Sequence, residues 1–97
     1  MVKHINGEEF NKILLESEEI FIVDFYADWC GPCRMLAPRL EEIDNVTIYK
    51  INVDENSEIA RQYGIMSIPC LISFKDHKEY KRSIGLVEKE DILELLS

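Results

Sequence analysis

Cys30 and Cys33 stand three positions apart in the stretch ADWCGPC, Ala27 to Cys33, with Gly31 and Pro32 between them and Trp29 just before. Three chemistries use such a pair: a metal clip, a structural staple, or reversible disulfide exchange. A total of three cysteines, an odd number, counts against a disulfide framework. A structural zinc site wants four ligands, and only Cys70, His4 and His77 could complete it; none of them forms a second close pair. Exchange suits the position better. The pair follows an apolar strand and opens a helix, where unpartnered N–H groups and the helix dipole favour a thiolate at Cys30. Residues i and i+3 on a helix lie ~5–6 Å apart at Cβ, so a small closure joins the sulfurs. Pro32 suits an early helical position and limits how far the pair separates on reduction.

Asp24 is the other residue whose setting could do chemistry. It lies amid Ile22, Val23 and Phe25, where burial penalises an ionised carboxylate and raises its pKa. In the strand that leads to Cys30, it could accept a proton from the second thiol and return it. Lys50 is a candidate partner; it shares a strand face with Ile48, and its charge alone interrupts that side. The alternatives are an Asp bonded to local backbone and a lysine snorkelling to solvent.

The elements that must hold these residues are legible from periodicity. Val2 to Ile5 is a short strand. Asn6 and Glu9 have the spacing of a capping box, opening a helix with Phe10, Ile13 and Leu14 on one stripe. Ile20 to Tyr26 is apolar on both faces save Asp24, as in a central strand covered from both sides. Cys30 to Ile43 predicts a helix with Leu36, Leu40 and Ile43 inward and a kink at Pro38. Val46 to Val53 is strand, and Asn56 to Tyr63 is a helix with Ile59, Ala60 and Tyr63 inward, stopped by Gly64. Cys70 to Lys75 and Glu79 to Ile84 form a hairpin around Asp76-His77-Lys78. Glu88 to Leu96 is a closing helix with Ile92, Leu93 and Leu96 inward. The order βαβαβαββα predicts an α/β fold: a central mixed sheet with parallel crossovers, an antiparallel edge from the hairpin, and helices on both faces.

Ninety-seven residues, 46% hydrophobic, make one domain, residues 1–97, with enough apolar surface for a single core. With 19 acidic against 11 basic residues the net charge is −8, which argues against a surface that tracks nucleic-acid phosphates. MVKHINGEEF carries no apolar core of signal-peptide length and no segment is long enough to enter a membrane, so a cytoplasmic location is expected. Thiols are kept reduced there, and a close cysteine pair in that setting is catalytic or metal-binding more often than structural.

Taken together, VDFYADWCGPC (Val23 to Cys33), Pro38, Lys50, YGIMSIPC (Tyr63 to Cys70) and Gly85 resemble the thioredoxin family over nearly the whole chain, from Asn6 to Leu96. The resemblance implies a thiol–disulfide oxidoreductase of thioredoxin fold. Cys30 would be the exposed nucleophile, Cys33 the buried resolving thiol, Asp24 the buried aspartate and Lys50 the lysine beside it. Pro69 would follow a cis peptide bond. Trp29, Ile68, Pro69 and Gly85 would form a flat apolar patch around Cys30, with the Ile68 backbone pairing to an extended substrate. The family also implies a monomer with no bound cofactor, client proteins that contain disulfides, and recycling by a separate thioredoxin reductase, typically NADPH-dependent. Two other roles use this fold: a binding subunit whose redox pair is incidental, and an oxidant or isomerase. The Gly-Pro dipeptide resembles the reducing members.

Departures from the family pattern are few. Tyr26 stands where a second tryptophan is common and Arg34 where a lysine often follows the motif. The short connection to Val46 implies an early end to the second helix. Cys70 replaces a threonine. It reads as a small buried hydrophobe, with a third thiol able to trap the redox pair as the sharper alternative.

Overall fold

The computed structural model describes residues 1–97. Five strands form one sheet in the order β1-β3-β2-β4-β5: β1 (Val2–His4), β2 (Phe21–Tyr26), β3 (Thr47–Asn52), β4 (Cys70–Lys75) and β5 (Lys78–Ile84). Four helices complete it: α1 (Gly7–Glu16), α2 (Gly31–Glu41), α3 (Ser57–Gln62) and α4 (Lys89–Glu94). The result is the mixed sheet with helices on both faces that the element order predicts.

The central strand β2 explains the layering. Alternate residues point to opposite faces: Phe21, Val23 and Phe25 join Phe10 of α1 and Ile59 of α3 in one core. Ile22 joins Leu36 and Leu40 of α2, Ile92 of α4, Ile43 and Leu95 in the other. Asp24 continues the second side, so the one charge in β2 faces the layer that carries α2.

Local sequence sets the helix ends. Asn6 accepts from Glu9 N–H at 2.8 Å while Glu9 accepts from Asn6 N–H at 2.9 Å, a complete capping box at α1. At the end of α3, Gly64 has φ 63° and its N–H donates to Arg61 O, while Ile65 N–H donates to Ala60 O. Those two bonds satisfy carbonyls the helix leaves free, in a conformation glycine adopts without Cβ strain.

Several expectations need correction. β4 runs antiparallel to β2 although a helix precedes it. Six residues of α3 rise only ~9 Å, less than half a strand length, so the chain crosses over without descending and enters β4 from the end where β3 stopped. The hairpin turn is two residues, not three: Asp76 and His77 both have positive φ, 55° and 67°, and Lys78 is already paired with Lys75. Such a turn matches the twist of the strands it joins. α2 holds Pro38 in its interior and continues as a single element to Glu41, short of Ile43. In the closing helix Leu95 is buried and Leu93 is exposed, the i, i+3 partner of Ile92 winning over its neighbour. No helix is long and apolar enough to cross a membrane.

Candidate active site

Cys30 is the N-cap of α2, with extended backbone at φ −86° and ψ 110°. Ser, Asp or Asn usually sits there because its side chain accepts an N–H of the first turn. Sulfur takes that role here: Cys33 N–H donates to Cys30 Sγ at 3.2 Å. Gly31 and Pro32 occupy the first two helical positions, and Pro32 lacks an N–H that the helix start would leave unpaired anyway. The fold therefore holds Cys30 and Cys33 with Cα atoms 5.2 Å apart and their sulfurs at disulfide distance.

Around this pair the chain is apolar and close. Cys30 and Cys33 pack with Ala27, flanked by Tyr26, Val53 and Ile68. Cys30 is only 4% exposed and Cys33 3%, so the exposed N-terminal cysteine implied by the family resemblance is not seen. With the sulfurs joined, Cys30 Sγ turns inward toward Cys33. Trp29 beside it is 69% exposed, and its Nε1–H donates to Asp54 Oδ2 at 2.8 Å.

Ile68 and Pro69 arrive on the loop before β4. Their peptide bond is cis, and the Ile68 carbonyl oxygen lies 3.8 Å from Cys30 Sγ. Neither backbone group of Ile68 bonds to another backbone group, whereas Pro69 O accepts from Gly85 N–H at 2.8 Å. Gly85 has φ 93°, which brings the end of β5 back onto that carbonyl. Of the expected patch, Pro69 is buried, Ile68 and Gly85 are half-buried and Trp29 is exposed; Met66 and Ile84, in the segments flanking Pro69 and Gly85, are exposed as well.

Asp24 and Lys50 form a cross-strand pair between β2 and β3. The carboxylate is fully buried, neither oxygen has a hydrogen-bond partner, and Lys50 Nζ lies 3.7 Å from Oδ2. At that length the contact is an ion pair rather than a hydrogen bond. Burial pushes the Asp24 pKa up to about 6, and the charge of Lys50 only partly offsets it. Lys50 and Cys33 both line a cavity of about 230 Å³, so the lysine of the pair opens onto the space beside the second sulfur while Asp24 lies buried behind it.

Cys70 lies elsewhere. It is 1% exposed and packs with Phe25, Ile59 and Ile72 in the core beneath α1 and α3, and burial pushes its thiol up. It does not belong to the group around Cys30 and Cys33. No three His, Cys, Asp or Glu side chains converge as a metal-holding group.

Four residues take parts that the sequence reading did not assign them. Asp54, which holds Trp29, follows β3, and only the β3-β2 adjacency brings it there. His4 joins Tyr26 across β1 and β2 at 3.1 Å. Met66 and Ile84 read as ordinary loop and strand residues; both are exposed, Ile84 at the end of the edge strand β5.

The family model described as Thioredoxin matches residues 1–97. A thioredoxin of Chlamydia pneumoniae is 48% identical over 101 aligned residues, covering 100% of this chain and 97% of that protein. That of Chlamydia caviae is 44% identical at the same coverage. Among solved structures, a variant thioredoxin from Halobacterium salinarum superposes with TM-score 0.87 at 34% identity, over 97% of this chain and 86% of that one.

Proposed function

The chain belongs to the thioredoxin family and is a thiol–disulfide oxidoreductase that reduces protein disulfides; from that premise we propose how its residues divide the work. Cys30 is the nucleophile. Its thiolate attacks one sulfur of a client disulfide, the other client sulfur leaves as thiolate and takes a proton, and Cys30 is left in a mixed disulfide. Cys33 then gives its proton to Asp24 and attacks Cys30 Sγ. That forms the Cys30–Cys33 disulfide and releases the second client thiol, so two electrons pass to the client and two thiols become one disulfide.

The carrying observation is the N-cap position of Cys30 with Cys33 at bonding distance. The N–H groups at a helix start favour charge on that sulfur, and the neighbouring sulfur can swap bonds without refolding. Asp24 suits proton transfer because a group titrating at about 6 can both take and return a proton near neutral pH.

Clients and a reductase are the partners that the family brings. In this reading Ile68 offers its free backbone N–H and C=O to an extended client segment, while Trp29, Met66 and Ile84 cover it by shape. A dithiol carries both electrons itself, so no bound cofactor is required. The oxidised form is recycled by a separate thioredoxin reductase drawing on NADPH, and the chain works as a monomer. A reducing compartment such as the cytoplasm suits this chemistry and the free Cys70.

Insulin-disulfide reduction coupled to NADPH through a thioredoxin reductase tests the reading. Wild type should turn over and Cys30→Ser should not; turnover by Cys30→Ser would overturn it. A reduction potential above that of the glutathione couple would contradict a general reductant.

A further inference from the structure

His4, Lys50 and Asp24 lie in one row across the sheet: His4 on β1 pairs with Lys50 on β3, which pairs with Asp24 on β2. Tyr26, two residues beyond Asp24 on the same strand, returns to that face. The Tyr26 hydroxyl and His4 Nδ1 share a hydrogen bond of 3.1 Å, with the rings edge to face at 5.9 Å between centroids. Over the same tyrosine ring, 4.6 Å from its centroid, sits the Lys50 ammonium that lies 3.7 Å from Asp24. His4, Tyr26, Lys50 and Cys33 line one cavity of about 230 Å³.

We propose that His4 and Tyr26 are positioning residues of the proton-handling pair: their hydrogen bond fixes the ring on which the Lys50 ammonium rests, and so holds that ammonium beside Asp24 while Cys33 gains and loses its proton. The inference rests on Asp24 acting as proton acceptor. A lysine stem has several rotatable bonds and a strongly hydrated head, so an ammonium without a hydrogen bond to its carboxylate needs another hold to stay at the pair. An aromatic face supplies that hold through its quadrupole. The ring is only as fixed as its own contacts; its hydroxyl bonds His4 at 3.1 Å, with the Asn52 side chain as a second polar neighbour.

The surrounding charges fit this arrangement. Asp28 from the loop after β2 and Arg34 from α2 line the same cavity, and Glu55 lies in the loop after β3. Burial first, then Asp28 and Glu55, push the Tyr26 hydroxyl above its ordinary range, so it stays protonated and keeps its bond to His4. Tyr26 thus does more than fill the place of a tryptophan: its hydroxyl gives the ring a tether that an indole would make differently.

Carbon NMR titration of the Asp24 carboxyl in the oxidised protein tests the proposal. Tyr26→Phe keeps the ring and removes the hydroxyl; His4→Leu removes the other partner. Both should move the Asp24 midpoint upward by roughly 0.5 to 1 unit, a share of the ~1–3 units that an adjacent opposite charge supplies. Combined with Lys50→Met, neither should move it further than Lys50→Met alone. Unmoved midpoints in both single variants, or equal shifts with Lys50 absent, would overturn the proposal. The titration needs no turnover, so its failure is separable from a failure of wild-type insulin reduction.

Discussion

Asp24 and Lys50 face each other across β2 and β3 with 3.7 Å between charge centres and no hydrogen bond to either carboxylate oxygen. A carboxylate so placed is under-compensated. The burial cost exceeds what one ammonium at that distance returns, which is why the group titrates at about 6 instead of 3.8.

Linkage turns that shift into a stability prediction. The folded pKa lies above the unfolded one, so the native state holds more protons between about 3.8 and 6 and stability falls as pH rises. The contribution is fully present below about 3.8 and is lost as pH passes about 6, amounting to roughly 3 kcal/mol. Urea unfolding of wild type and Asp24→Asn should therefore show a stability difference that shifts by this amount between pH 3.5 and pH 7, against wild type at the higher pH. A pH-independent difference would contradict the burial argument.

The same carboxyl should govern the second step of exchange. In wild type the resolving rate is expected to rise with pH through about 6 as Asp24 becomes able to accept a proton. Asp24→Asn should remove that inflection and slow resolution by about 10²-fold or more, with a smaller effect on the first attack. Stopped-flow fluorescence of Trp29 can follow the two steps. Equal slowing of both would count against the proton role.

Trp29 is tethered at one point. Asp54→Ala removes the 2.8 Å acceptor of its indole N–H at an exposed site, so stability should change by only about 1 kcal/mol. The loosened ring should weaken client binding and raise KM for insulin several-fold with kcat little changed. A loss confined to kcat would assign Asp54 a different part.

Cys70 is a packing residue in this structure. Cys70→Ser places a hydroxyl among Phe25, Ile59 and Ile72 and should cost about 1–3 kcal/mol by chemical denaturation. Turnover under peroxide should match wild type. A variant that outlasts wild type there would revive the third-thiol alternative.

What the sequence made legible follows the range of the forces involved. The α1 capping box, the Gly64 stop and the Cys30 helix start depend on residues three to five apart, and each could be read from the chain. An unbroken apolar run identified β2 and its buried Asp24, because a strand apolar on both sides must be covered on both. The antiparallel entry of β4 was not legible, since it depends on how far α3 reaches back along the sheet. Nor were the His4–Tyr26 and Trp29–Asp54 contacts, 22 and 25 residues apart in sequence, which exist only because β3 lies between β1 and β2. The inward turn of Cys30 depends on the closed pair and the Ile68 loop, which no local pattern encodes.

The most direct measurement is to mix reduced Cys33→Ser with a disulfide-containing client and map the resulting adduct by mass spectrometry. With its resolving thiol gone, the chain should accumulate a one-to-one mixed disulfide on Cys30 that dithiothreitol releases. Absence of the adduct, or its location on Cys70, would contradict the account.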